Sequence, residues 1–194
     1  TRAGARALWG KACEDQQTVP FGPLFEAILR ADPPICDVTA LRELSTRRDS
    51  GFWVVRDLQA AIADAASSAP LSIVIDDIHW ADAATIVALQ GLVTGLAQVP
   101  VLWTFAMRSA GGRAEVRDVI SAMAAGDGTS SHLVRLGALD GDAVAQIAGD
   151  VIGVTVDESV MRLAELAHGN PFLVVELISG LHEEKRIEVA TGRG

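Results

Sequence analysis

One stretch of this chain, LSIVIDDIHWAD at residues 71–82, constrains its fold more than any other. Its first five residues, Leu71–Ile75, form a short run that is apolar on both faces, and three of them are β-branched. Such a run is typical of a strand in a parallel sheet that helices cover on both sides. Two consecutive carboxylates, Asp76 and Asp77, follow directly. Open α/β sheets bind ligands at the carboxyl ends of their strands, so the sequence predicts that both carboxylates lie at a ligand site.

Strand-like apolar runs alternate with helix-like periodic runs around this stretch, which indicates βα units and an α/β fold with a largely parallel sheet. The further predicted strands are Ala5–Ala12, Val99–Met107 and His132–Leu136. The predicted helices lie around Leu24–Leu29 and Val55–Ala66, from Thr85 onward, and around Glu115–Ala125, and a glycine-rich turn is predicted at Gly126–Gly128. Asp82 is placed to cap the helix that begins near Thr85.

Near residue 138 the pattern changes to helical periodicity alone. The apolar residues of the first helix recur at the spacing of one helix face: Val144, Ile147, Ala148 and Val151. Gly153 ends this helix, Asp157 is placed to cap a second helix, and Asn170 a third that has Pro171 in its first position. The sequence therefore predicts an α/β core over residues 1–137 and a helical subdomain over residues 138–194.

The charge balance argues against a surface that binds nucleic acid or a membrane. The 194 residues carry 25 acidic and 16 basic side chains, a formal net charge of −9. Binding to phosphate backbones or anionic lipid needs clustered Lys and Arg, and the densest basic stretch is only the pair Arg47–Arg48. The sequence also lacks an apolar run of about 18 residues, so no transmembrane segment is expected. We therefore expect a cytoplasmic protein without a membrane partner.

The carboxylates at residues 76 and 77 have a catalytic interpretation and a structural one. In nucleotide hydrolases, one carboxylate at this point of the sheet holds Mg²⁺ and the next polarises the attacking water. On that interpretation, Asp76 is the metal group and Asp77 is the base. The alternative is that Asp76, Asp77 and Asp82 only cap the helix that follows.

Three other candidates each have a plain structural interpretation. Arg108 ends the strand predicted at Val99–Met107, where a cation could stabilise the charge of a γ-phosphate or could be a solvated surface side chain. His79 could be a metal ligand, although a hydrogen-bonded His at a strand–helix turn is commoner. The segment HGNPF, residues 168–172, is sufficient for a plain corner between two helices.

Together these segments resemble a known family. IVIDDIHWAD is similar to the Walker B segment of the signal-transduction ATPases with numerous domains (STAND), in particular the AAA-type ATPase module of large ATP-binding LuxR-type transcriptional regulators and related bacterial signalling proteins. VLWTFAMR resembles the sensor strand of these modules, with Arg108 at its end, and residues 136–153 resemble the link into their helical lid. HGNPFLVVELISGL is similar to the lid motif, which implies that Gly169 and Pro171 lie near the adenine.

The chain departs from this family in one large respect. A P-loop needs Gly, four residues, and then Gly-Lys-Ser/Thr, so that backbone N–H groups cradle the phosphates. Lys11 follows Gly10, but Ala12 comes next and Ala5 stands where the first Gly belongs, so we predict a strand here. We therefore expect a fragment that begins just downstream of the P-loop, in keeping with a first residue that is Thr and a first methionine at position 107.

The resemblance implies a P-loop-type sheet, incomplete in this chain, followed by a helical lid, with ATP and Mg²⁺ between them in the intact protein. It implies an ATPase that resets a signalling switch, an inducer or effector protein that other domains recognise, and DNA contact only through a separate domain. This fragment alone is expected to be inactive. Two other functions stay open. One is a catalytically silent module that receives partner proteins, and the other is a metal-dependent hydrolase built on Asp76, Asp77, His79 and Asp82.

Overall fold

The computed structural model describes residues 4–37, 39, 50–108, 113–125 and 130–187. The chain divides into two compact units, Thr1–Leu133 and Val134–Gly194. Each unit has its own cluster of buried apolar side chains.

The first unit is an α/β structure, as the sequence predicts. Its strands form one parallel sheet in the order β1 (Arg6–Lys11), β2 (Leu71–Asp76) and β3 (Val101–Phe105). Its helices are α1 (Gly22–Leu29), α2 (Ser50–Ser68), α3 (Ala83–Gly95) and α4 (Ala114–Ala125), with 3₁₀ turns at Glu14–Gln16 and Ile78–Trp80. These strands and helices coincide with predicted elements, and their ends differ from the predicted ends by a few residues.

Helices bury only one face of this sheet in the described part of the chain. Leu8, Ile73 and Ile75 lie on the buried face, and each is at most 2% exposed. On the opposite face, Trp9 is 42% exposed and Leu102 is 64% exposed. The expectation that helices cover both faces of β2 is therefore wrong for these residues. Right-handed crossovers that step from β1 to β2 to β3 in one direction place their helices on the same side, which accounts for the one-sided burial.

The strand predicted at His132–Leu136 does not form, since residues 130–140 have no regular secondary structure. Leu133 and Val134 are exposed, and Leu136 is 93% exposed. A parallel strand is held by hydrogen bonds to a neighbouring strand, and the described residues place no strand beside this segment. An apolar pattern without such a neighbour does not make a strand. The turn predicted at Gly126–Gly128 lies outside the described residues.

The second unit is helical, as predicted. Its helices are α5 (Gly141–Ile152), α6 (Glu158–Ala164) and α7 (Pro171–Glu183), with a 3₁₀ turn at Glu165–Ala167. Asp157 accepts hydrogen bonds from the amides of Ser159 and Val160, and Asn170 accepts from those of Phe172 and Leu173, so both predicted caps are confirmed. None of the helices in the described ranges has both the length and the apolar character that crossing a membrane requires.

Candidate functional site

Asp76 and Asp77 leave the sheet at the carboxyl end of its central strand. Asp76 is the last residue of β2 and stands opposite Lys11 across the parallel ladder. The carbonyl of Asp76 accepts a hydrogen bond from the amide of Ala12 at 2.9 Å, which keeps the two strands paired up to this point. Parallel strands end at the same edge of a sheet, so the ends of β1 and β2 bring Lys11, Asp76 and Asp77 together.

A left-handed turn at Asp77 gives the two carboxylates different surroundings. The backbone of Asp77 has φ 50° and ψ 36°, a conformation that costs about 1 kcal/mol but that Asp tolerates better than most residues. Asp76 Oδ1 accepts a hydrogen bond from the Asp77 amide at 2.9 Å, which offsets part of this cost. The carboxylate of Asp76 is thus held against the backbone, whereas that of Asp77 reaches other side chains.

The carboxylate of Asp77 forms a salt bridge with Lys11. Lys11 Nζ lies 3.2 Å from Asp77 Oδ2. The hydrogen bond to Asp77, and then the attraction of its negative charge, raise the pKa of the Lys11 ammonium. From the sequence, Lys11 is considered only as a possible P-loop lysine, so its place beside Asp77 is missed. The contact could be predicted only from the register of β1 against β2, because that register places Lys11 opposite Asp76.

Helix α1 holds the backbone of Lys11 in place. The Lys11 amide donates a hydrogen bond to Glu26 Oε2 at 2.8 Å. Glu26 is itself paired through Oε1 with Arg30 Nη2, one helical turn further along, at 2.9 Å. The end of β1 is therefore fixed from α1 as well as from β2.

His79 is a buried side chain without hydrogen-bond partners in the described structure. It is 1% exposed, and neither Nδ1 nor Nε2 has a hydrogen bond. Its Nδ1 lies 4.0 Å from Asp77 Oδ1, beyond hydrogen-bond distance, and its ring lies 5.0 Å from that of Trp80 at an angle of 44°. The expectation of a hydrogen-bonded His at this turn is therefore wrong. The ring instead lies against Trp80, and the nearest carboxylate oxygen is too far away for a hydrogen bond.

Asp82 has the structural role that the sequence predicts. Its Oδ1 accepts a hydrogen bond from the Thr85 amide at 2.9 Å, and its Oδ2 accepts one from the Thr85 hydroxyl, so it caps α3. Oδ1 also accepts a hydrogen bond from the Phe21 amide at 3.3 Å, just before α1 begins. In contrast, the side chain of Asp77 makes no capping bond to the 3₁₀ turn that follows it. Helix capping therefore accounts for Asp82 and leaves Asp77 without that explanation.

Arg108 follows β3 by three residues and is exposed. The amide of Ile78 donates to the carbonyl of Ala106 at 3.0 Å, so the segment that leads to Arg108 runs beside the turn after Asp77. The described residues offer Arg108 no ion pair. Both interpretations of Arg108, as a phosphate contact and as a solvated cation, are compatible with this position.

Gly169 and Pro171 form a tight corner within the second unit. Gly169 has φ +70°, and a Cβ there would stand 2.5 Å from the carbonyl oxygen of Leu139. The Leu139 amide in turn donates to the carbonyl of Gly169 at 2.9 Å, so the corner is held by backbone contacts. Pro171 occupies the first position of α7 after the Asn170 cap. Local contacts are sufficient to explain these residues without a ligand.

Comparisons with known proteins do not identify the chain. No protein-family model matches it, and no curated protein matches it at a significant level. The described residues also contain no group of three or more His, Cys, Asp or Glu side chains that could hold a metal ion. The end of the central strand is therefore the feature of the described structure that bears most directly on function.

Proposed function

We propose that this chain is part of an ATP-binding and ATP-hydrolysing switch module of a bacterial signalling protein, of the STAND class that its sequence resembles. The observation that carries the proposal is the pair of adjacent carboxylates, Asp76 and Asp77, at the end of the central parallel strand. Sheets of this kind bind ligands at that edge. The different surroundings of the two side chains suit two different roles, a metal group and a base.

Asp76 suits a contact to Mg²⁺. Its Oδ1 accepts the Asp77 amide, and the described residues make no hydrogen bond to Oδ2. Magnesium in nucleotide sites is held by one or two carboxylates, with phosphate oxygens and water completing its coordination. A single half-buried carboxylate fits such a site. When bound, the ion would neutralise negative charge on the phosphates, and Asp76 would hold it at the strand end.

Asp77 suits the task of polarising a water molecule. Its side chain is 26% exposed, so water reaches it. The carboxylate of Asp77 contacts Lys11, whereas that of Asp76 accepts the Asp77 amide, so the two carboxylates have different partners and would take different roles. A carboxylate in this position acts as a general base.

We propose that the phosphate-binding loop belongs to a strand–helix unit beside β3. Residues 6–11, which include the nearest match to a P-loop, form β1 instead. A strand beside β3 would pair with its outer edge, where the described residues provide no neighbour. The connection from this strand to β1 would cross the sheet in the direction opposite to the crossovers from β1 to β2 and from β2 to β3. A right-handed crossover in that direction places its helix on the exposed face of the sheet, where Trp9 and Leu102 lie. The N-terminus of that helix would then cradle phosphates near Asp76.

The remaining residues take the roles that the resemblance implies. Arg108 would contact the terminal phosphate, and Gly169 and Pro171 would lie on the adenine side of the lid. The module would act in the cytoplasm, with an inducer or effector protein bound by other domains. Any DNA contact would use a separate domain, since the net charge of −9 disfavours binding through this one.

A catalytically silent interaction module is the second candidate, and two observations favour it. The proposed base is paired with a cation, and the described residues contain no phosphate cradle. A metal-dependent hydrolase is not proposed, because the described residues provide no cluster of three ligands, and His79 Nδ1 is 4.0 Å from the nearest carboxylate oxygen of Asp77.

Carboxylate substitutions in the complete protein that contains this chain test the proposal. Asp76→Asn should weaken Mg²⁺-dependent nucleotide binding, whereas Asp77→Asn should spare binding and slow turnover by about 10²-fold or more. Asp57→Asn on the exposed side of α2 is the matched control and should change neither quantity. Hydrolysis at the wild-type rate by Asp77→Asn would remove the catalytic assignment. Circular dichroism checks that each of the three variants is folded.

A further inference from the structure

The backbone turn that begins at Asp77 is closed by its own hydrogen bonds. The carbonyl of Asp77 accepts the amide of Trp80 at 2.9 Å, and the carbonyl of Ile78 accepts the amide of Ala81 at 3.0 Å. These bonds close a single short 3₁₀ turn, so a shift at one end of the turn is passed on to the other end. The position of the Asp77 carboxylate therefore depends on what holds Ala81.

Arg113 holds the far end of this turn. Its Nη2 donates a hydrogen bond to the carbonyl oxygen of Ala81 at 2.6 Å, across 32 residues of sequence. Ala81 is 1% exposed, and a carbonyl at the end of a buried helical turn needs a hydrogen-bond donor. A guanidinium suits this task, because it stays charged and because the carbonyl end of a helical turn carries partial negative charge.

The backbone of Arg113 is in turn fixed by α4. Its carbonyl accepts the amide of Val116 at 3.2 Å, at the start of that helix. Val116 is 2% exposed and belongs to the apolar core of the first unit. The guanidinium therefore reaches Ala81 from a helix start that is anchored in the core.

The near end of the turn is held by a different kind of bond. The amide of Ile78 donates to the carbonyl of Ala106, just after β3, at 3.0 Å. This bond joins two backbone groups, whereas the bond at Ala81 comes from a side chain. Substitution of Arg113 therefore releases the far end of the turn and leaves the near end attached to the segment after β3.

We infer that Arg113 is a positioning residue for the proposed base, and that its bond to Ala81 keeps Asp77 in the orientation in which the carboxylate meets the attacking water. The inference rests on the proposed function, because Arg113 acts through the base that this function assigns. Catalytic groups must be held to within about 0.5 Å, and a misplacement of about 1 Å can cost about 100-fold in rate. Arg113 itself is exposed, so its replacement leaves the buried core unchanged.

Steady-state hydrolysis of Mg-ATP by the complete protein tests this role. Arg113→Gln, which is shorter and uncharged, should lower kcat by about tenfold and leave KM unchanged, because the proposed metal group Asp76 stays at the end of β2. Arg113→Lys keeps a charged donor and should retain most of the wild-type kcat. Arg56→Gln, on the exposed side of α2, is the matched control and should change neither quantity.

Two further measurements distinguish positioning of the base from a general structural role. Once Asp77 is replaced by Asn, the orientation of this residue no longer affects a base, so Asp77→Asn/Arg113→Gln should be no slower than Asp77→Asn alone. Amide hydrogen exchange gives a readout that does not depend on activity. The amides of Trp80 and Ala81 should exchange about threefold faster or more in Arg113→Gln, because the turn opens more readily.

The outcomes separate the inference from the proposed function. If Asp77→Asn slows hydrolysis but Arg113→Gln leaves kcat unchanged, or lowers it by the same factor with and without Asp77, the inference is refuted and the ATPase proposal stands. Wild-type exchange rates at Trp80 and Ala81 in Arg113→Gln refute the inference as well. If the folded wild type does not hydrolyse Mg-ATP, or if Asp77→Asn hydrolyses it at the wild-type rate, the proposed function is refuted and the role of Arg113 falls with it.

Discussion

The close approach of α1 to β1 sets the position of the strand end, and Gly10→Ala tests it. Gly10 lies on the buried face of β1 next to Lys11. A Cβ at this position would stand 2.0 Å from the carbonyl oxygen of Pro23 and 3.1 Å from the amide nitrogen of Ala27. Both atoms belong to the backbone of α1, so no side-chain rotation relieves the clash. The helix must move away from the strand by roughly 1 Å or more, a displacement at the costly end of overpacking, about 3 kcal/mol.

Tryptophan fluorescence during urea denaturation measures this loss of stability in the first structural unit, residues 1–133. All four tryptophans lie in the first unit, at positions 9, 53, 80 and 103. A loss of about 3 kcal/mol should lower the midpoint by about 1–3 M urea. Gly51→Ala in α2 is the control, because its Cβ would meet nothing within 4 Å, and alanine in a helix stabilises by up to about 1 kcal/mol. A Gly10→Ala midpoint equal to that of wild type or of Gly51→Ala would refute the packing argument.

Three further predictions concern the second unit and the ligand. Gly169→Ala should lower the free energy of unfolding of this unit by about 2–3 kcal/mol, because φ is +70° and Leu139 blocks the Cβ. Gly180→Ala should leave this free energy unchanged, because a Cβ there would meet nothing within 4 Å. Amide hydrogen exchange in α7 compares the stability of the two variants. Hydrogen bonds from Ser159 and Val160 lower the pKa of Asp157. The stabilisation that Asp157 gives is therefore complete above the ordinary Asp pKa near 4 and is lost as the pH falls through the lower pKa of the folded state. Amide hydrogen exchange in α6 should show this loss in the wild type and not in Asp157→Asn. Titration calorimetry of these 194 residues with Mg-ATP should give binding no tighter than about millimolar, and micromolar binding would show that this chain already contains a phosphate site.

The sequence predicts the elements of this chain better than it predicts their environment. The runs Leu71–Ile75 and Val99–Met107 correspond to β2 and β3, and Asp82, Asp157 and Asn170 cap the helices that they are predicted to cap. These features depend on local chemistry, namely on β-branched runs and on carboxylate or amide groups before a helical period. Local chemistry is present in the sequence itself.

The errors concern features that depend on neighbours. His132–Leu136 has an apolar pattern suited to a strand, but the described residues give it no strand to pair with. The sequence predicts that helices cover both faces of β2. Val74 is only half-buried, because the crossovers place their helices on the other face of the strand. Lys11 is missed as a partner of Asp77 because the two residues are far apart in sequence and meet only through the register of two parallel strands.

The side chains around the proposed base differ in how firmly they are held. Asp82 links the turn at Phe21 to the N-terminus of α3, and Glu26 links α1 to the backbone of Lys11. The bond to Glu26 holds the end of β1 against α1, and the bonds to Asp82 join the start of α1 to the start of α3. The ammonium of Lys11 is held mainly by its exposed contact with Asp77. The edge of the sheet at Asp76 and Asp77 therefore combines strand ends that are held by hydrogen bonds with one exposed ion pair, between Lys11 and Asp77.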